Sequence, residues 1–180
     1  MRDTRVAVRY AKALFDLSIE QNLLEPINLD MKFVSEVCSE SKDFKAVLSS
    51  PVIRPDKKIS IFNQIFADKI NKMSLNFLNI IINKRRDNNI IAIAKQFNVI
   101  YNDYKGIELA SVTSAFPLDE TQKANLILTL KKKTNKQVIL TEYIDPSIIG
   151  GFILNFGGNI YDASVIDKTK TLEREFKPKH

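Results

Sequence analysis

The sequence predicts an α+β chain, with an N-terminal six-helix bundle over residues 1–105 and a small α/β domain with a mixed sheet over 106–180. Three observations carry this. Up to residue 104 apolar side chains recur at helical spacing, in segments separated by Pro, Ser, Asn and Asp. Within 138–165 the period changes, and Val138/Leu140 and Phe152/Leu154/Phe156 alternate as half-buried strands do. Gly150-Gly151 and Gly157-Gly158-Asn159 then supply positive φ at corners, the second as a hairpin signal. Lys105-Gly106 marks the boundary, because glycine after a helical stretch is a stop.

The first helix is expected over 4–21, with Ala7, Tyr10, Ala11 and Leu14 at i, i+3, i+4 and i+7 and Asp3 or Thr4 as cap. Pro26 suits the first turn of a second helix, striped by Ile27, Met31, Val34 and Cys38. A short third, 43–48, buries Phe44, Val47 and Leu48 before Ser49-Ser50-Pro51 breaks it. Pro55-Asp56 opens a fourth carrying Ile59, Phe62, Ile65 and Phe66. The fifth, 74–84, holds Leu75, Phe77, Leu78, Ile80, Ile81 and Ile82. Asp87-Asn88-Asn89 ends it and caps a sixth with Ile90, Ala94, Phe97, Tyr101 and Tyr104. Short polar breaks make neighbouring helices antiparallel.

The first and fifth helices are apolar on more than one face. At 100° per residue their apolar arcs are about 200° and about 220°, where a helix packed on one core needs roughly 100°. Either both sit centrally and are buried on two sides, or a hydrophobic groove between them takes a helix from a partner.

Beyond Gly106 a strand is expected over 107–113, then the loop Phe116-Pro117-Leu118. Asp119 caps a helix with Gln122 three places on, and Ala124, Ile127 and Leu128 can face a sheet. Asn135 closes that helix and Gln137 starts the next strand, a β-α-β order that suggests a parallel pair with a right-handed crossover. Asp145-Pro146-Ser147 is turn chemistry. The runs 152–156 and 160–165 add antiparallel edges, and a terminal helix is expected over 166–176 with Leu172 and Phe176 inward and a basic tail behind it.

Hydrophobic content of 44% is globular, and no apolar run approaches the ~18 residues of a membrane span. Helical periodicity begins within a few residues of Met1, so a cytoplasmic protein without a cleaved leader is expected. The net charge of +6 is a modest excess, concentrated only at Lys84-Arg85-Arg86 and Lys131-Lys132-Lys133. The second cluster ends a helix and complements its dipole. One cysteine, Cys38, on an apolar stripe, excludes an internal disulfide and reads as a buried structural thiol. The one histidine is the terminal His180, which removes the commonest base and metal ligand. Gly158 is followed by Asn159-Ile160, where a P-loop needs Lys-Ser/Thr, and no Gly-x-Gly-x-x-Gly occurs. Asp145 and Asp162 fit capping roles better than a paired-carboxylate site. The basic residues lack interleaved aromatics, against nucleic-acid binding. The residues describe a two-domain interaction protein without cofactor, metal or active site; a basic RNA-associated adaptor is the second reading and a small enzyme the third.

Val138-x-Leu140 with Ile144-Asp145-Pro146-Ser147-Ile148-Ile149-Gly150-Gly151-Phe152-x-Leu154-Asn155-x-Gly157 resembles the signature of the delta subunits of bacterial rotary ATP synthases, equivalent to the oligomycin-sensitivity-conferring protein of mitochondria. The run from Ala110 through Ser111-Val112-Thr113 to Phe116-Pro117-Leu118 resembles the strand and loop that open the family's second domain. Arg9-Tyr10-Ala11-Lys12-Ala13-Leu14-Phe15 is similar to its first helix, and Ser50-Pro51-Val52-Ile53 to the loop after its third. Ala163 departs from the glycine of many relatives, and the residues after Ile166 match only by helical pattern. The resemblance implies a non-catalytic stator subunit that ties the catalytic head to the peripheral stalk, so that proton-driven rotation is coupled to ATP synthesis. It implies a peripheral place at the cytoplasmic face of the bacterial inner membrane. The groove between the first and fifth helices would receive the alpha-subunit N-terminal helix, with Tyr10, Ala13, Leu14, Leu75, Leu78 and Ile82 as candidates by position. The second domain would hold the C-terminal end of the b subunit, and Ile144, Asp145, Pro146, Gly150, Gly151 and Gly157 would be structural.

Overall fold

A computed structural model describes residues 2–165 and 169. The terminal helix expected over 166–176, with Leu172 and Phe176, lies outside the described residues, as does His180. The chain divides into two compact units, Met1–Asn102 and Asp103–His180.

The first unit is helical: α1 Arg2–Glu20, α2 Leu24–Glu40, α3 Lys42–Ser49, α4 Pro55–Phe66, α5 Lys72–Asn83, a single 3₁₀ turn Asp87–Asn89, and α6 Ile90–Tyr104. The helix α1 starts at Arg2, so Asp3 and Thr4 lie inside it rather than at its cap, both having helical backbone. Pro26 is the third residue of α2, where its missing N–H leaves no intrahelical bond unmade. Both α1 and α5 end in the same way, with a left-handed residue and paired return bonds. After α1 the left-handed residue is Asn22, with Asn22 N–H donating to Ile19 O and Leu23 N–H to Ser18 O. After α5 it is Arg85, with Arg85 N–H on Ile82 O and Arg86 N–H on Ile81 O.

The core of this unit gathers Leu14, Ile27, Met31, Phe62, Leu78 and Phe97, all without solvent exposure. Phe62 and Phe66 stack with ring centroids 4.4 Å apart, and Phe44 lies 6.0 Å from each. Two buried polar links fix the helices. Asp30 of α2 accepts from Asn71 N–H at 3.0 Å and Ser74 Oγ at 2.6 Å, which pins the start of α5. Lys58 of α4 pairs with Asp87 and donates to Leu48 O at 2.7 Å, satisfying the end of α3. A buried ion pair is tolerated only when its charges are so bonded.

The second unit holds β1 Ile107–Ser114, α7 Glu120–Thr134, β2 Gln137–Ile144, a 3₁₀ turn Pro146–Ile148, β3 Phe152–Phe156 and β4 Asn159–Asp162. The sheet order is β2-β1-β3-β4, with β1 and β2 parallel and the other pairs antiparallel. Asp119 and Gln122 form a full capping box on α7, and left-handed Asn135 closes it. Lys131, Lys132 and Lys133 occupy its last turn. The face of α7 turned to the sheet is Leu126, Ile127 and Leu130; Ala124 and Leu128 are exposed, so the expected face is corrected by part of a turn. The run expected to reach Val165 as strand stops at Asp162, whose carboxylate accepts Ser164 N–H at 2.8 Å and turns the chain.

Candidate functional site

A groove of about 480 Å³ lies between α1 and α5, lined by Leu17, Gln21 and Leu23 on one side and Asn71, Lys72, Met73, Asn76, Phe77 and Ile80 on the other. Its origin is a helix with two apolar stripes. On α5, Ser74, Leu78, Ile81 and Ile82 face the core and are buried. Met73, Phe77 and Ile80 fall one residue away on the next stripe at i, i+4 and i+7, and Ile80 keeps 53% of its surface exposed. On α1, Ala7, Ala11, Leu14 and Phe15 are core, while Leu17 is 39% exposed. Tyr10 extends this surface, packing edge-on against Phe77 at 6.5 Å. The guanidinium groups of Arg9 and Arg86 lie 5.5 Å and 6.0 Å from the Tyr10 ring centre, within cation–π range.

Of the candidates by position, Tyr10 is half-buried beside Phe77 and Ala13 is exposed on α1. Leu14, Leu78 and Ile82 are sealed in the core, at 0%, 0% and 1% exposure, so an occupant of this groove does not reach them. Leu75 is one turn from Asn79, which bonds Asn63 of α4, and is absent from the groove lining. The lining residues passed over are Leu17, Met73, Phe77 and Ile80. Leu17, Phe77 and Ile80 carried a sequence mark, a place on the broad apolar arcs one residue from the core stripe, whereas Met73 lay before the expected start of the fifth helix.

The signature residues of the second unit build a corner. Asp145 accepts Ser147 N–H at 2.9 Å and its own N–H donates to Ser114 O at 2.9 Å. The bonds from Ser147 hold its carboxyl below the usual range. Ile144 ends β2 and Pro146 opens the 3₁₀ turn that buries Ile148. Gly151 has φ +80°, and a Cβ there would stand 2.3 Å from Ala163 O, so only glycine allows the returning chain to pass. That chain is bonded across the corner by Ala163 N–H to Phe152 O and Val165 N–H to Gly150 O, both at 2.9 Å. Gly157 and Gly158, both left-handed, form the two-residue turn between β3 and β4. Asp145 and Asp162 are each bonded within their own turns. Burial pushes the Cys38 thiol up to about 12. Among the described residues no group of three His, Cys, Asp or Glu could hold a metal ion.

The sequence profile of the ATP synthase delta (OSCP) subunit matches residues 6–176. The ATP synthase subunit delta of Desulforamulus reducens is 34% identical over 174 residues, 97% of this chain and 96% of that protein. That of Christiangramia forsetii is 37% identical over 177 residues, covering 98% and 96%. A chain in a cryo-EM structure of the Toxoplasma gondii mitochondrial ATP synthase hexamer shares the fold, with a TM-score of 0.75 at 21% identity over 97% of this chain and 98% of that one. A two-unit α+β fold, a match along nearly the whole length and relatives of more than 30% identity converge: the chain belongs to the ATP synthase delta (OSCP) subunit family.

Proposed function

We propose that this delta subunit works as a two-ended clamp in the stator of a rotary ATP synthase. Residues 1–105 act as a six-helix bundle whose α1/α5 groove receives the N-terminal helix of an alpha subunit. Residues 106–180 hold the C-terminal end of the stalk's b subunit. The observation that carries the reading is the second apolar stripe on α5, Met73, Phe77 and Ile80, left open beside Leu17 of α1. At twelve residues α5 is about 18 Å long, room for roughly three turns of a docked helix.

The subunit makes and breaks no bonds in this role. Rotation driven by proton flow would drag the catalytic head with it unless the head were anchored. An anchor under torque is favoured by slow dissociation, which buried apolar contacts give better than surface charges. No described helix is long and apolar enough to cross a membrane. Attachment is therefore assigned to partner subunits, at the cytoplasmic face of the bacterial inner membrane.

The test is binding of a synthetic peptide of the alpha-subunit N-terminus. Leu17→Asp and Ile80→Asp, at exposed positions, are expected to leave the helices folded and weaken binding by about thirtyfold or more, as buried interface anchors do. Leu78→Ala should instead lower stability by about 3 kcal/mol through a core cavity. Unchanged affinity in both aspartate variants would remove the groove from the mechanism.

A further inference from the structure

Two concave surfaces meet at Arg85 and Asn88. One, of about 310 Å³, runs from Ser49 past Val52 and Arg54 to Lys58 and Asp87. The other, of about 490 Å³, is bordered by Lys84, Arg85, Arg86, Asn88, Asn89 and Ala92. Arg86 belongs to the second surface and also lies over Tyr10, which touches Phe77 of the apolar groove. Arg86 thus links the Tyr10–Phe77 edge of the apolar groove to a basic trough.

The α5 C-terminus favours the cations that follow it, but no described carboxylate neutralises them from within. Lys58 is paired with Asp87 and Arg54 with Asp56. No described carboxylate forms an ion pair with Lys84, Arg85 or Arg86, although all three are at least partly exposed. Arg85 also holds a left-handed backbone position more often given to glycine. We infer that the helix docked on α1 and α5 continues into an acidic stretch of the same polypeptide, and that Lys84, Arg85 and Arg86 receive its carboxylates. This rests on the groove reading above and adds the chemistry of the partner's flank. Facing charges of this kind raise the association rate and fix which way round the helix lies.

The experiment uses the full-length protein and three synthetic peptides: the alpha-subunit N-terminal helix alone, and the same helix with four glutamates added at its first or at its last residue. The expected result is a gain of about tenfold from one of the two extensions at low salt, most of it lost at 0.5 M salt as charges are screened. The gain should be lost in the Lys84→Gln/Arg85→Gln double variant, which leaves Arg86 over Tyr10, while the unextended peptide still binds it. No gain from either extension, or a gain that survives in the double variant, overturns the inference and leaves the groove standing. Failure of the unextended peptide to bind the wild type sinks the groove reading and this inference with it. Equal binding of a random-sequence RNA oligonucleotide and the extended peptide would overturn the assignment to an acidic polypeptide.

Discussion

Ile149 has φ 66° and ψ −43°, a conformation that a β-branched side chain disfavours. Gly150 N–H donates to Ile148 O at 2.7 Å, closing a tight γ-turn of the strained hand. Its side chain is 69% exposed, so little packing opposes removing it. Ile149→Gly is expected to stabilise the fold by about 0.5–1 kcal/mol, the relief of a left-handed L-residue less the entropy of glycine. A raised urea midpoint of the full chain checks this, and a lowered one would mean that the isoleucine packs on something. Gly151→Ala, two residues on, should do the reverse, because its methyl would meet Ala163 O at 2.3 Å.

Among the elements, α7 and β2 are joined through Glu142, which accepts Leu118 N–H at 2.6 Å and pairs with Lys123 at 3.0 Å. The bond from Leu118, and then Lys123, hold the Glu142 carboxyl below its ordinary range. A folded value depressed below the unfolded one gives stability that is whole above about pH 5 and is lost as the pH falls through the carboxylate range. Asp119 and Asp145, lowered first by bonds from Thr121 and Ser147, act in the same direction. The urea midpoint should therefore fall between pH 5 and pH 3, and Glu142→Gln should flatten that slope; an unaltered slope would show Glu142 to be irrelevant to it. Elements were the scale best written in the sequence. Apolar spacing found the helices of the first unit, and the β-α-β order found the parallel pair. The errors were rotational. One residue of helix is 100°, which separates Leu78 in the core from Phe77 in the groove. On α7, Leu126, Ile127, Leu128 and Leu130 are too closely spaced for periodicity to choose a face. The groove was one of two readings that the excess arc on α1 and α5 allowed. Its lining was not legible, because that depends on which side of α1 and α5 is taken up by α2 and α4.

For the whole molecule the proposed clamp implies a division of labour along the chain. If the clamp reading holds, a fragment of residues 1–105 should fold and bind the alpha-subunit peptide within about threefold of the full chain, since an interface confined to one folding unit keeps its contacts. Circular dichroism and peptide titration would check this, and a fragment that folds but does not bind would overturn the assignment of the site to the first unit alone. Cys38 gives this chain one more property. Its side chain is buried and its thiol is pushed up to about 12 by that burial, so the thiolate that an alkylating reagent needs is both suppressed and shielded. The native protein is therefore expected to resist maleimide dyes. A cysteine placed at exposed Ala13, one helical turn before Leu17 of the groove lining, would be the handle that takes a fluorophore, and its emission is expected to change when another subunit settles over that turn.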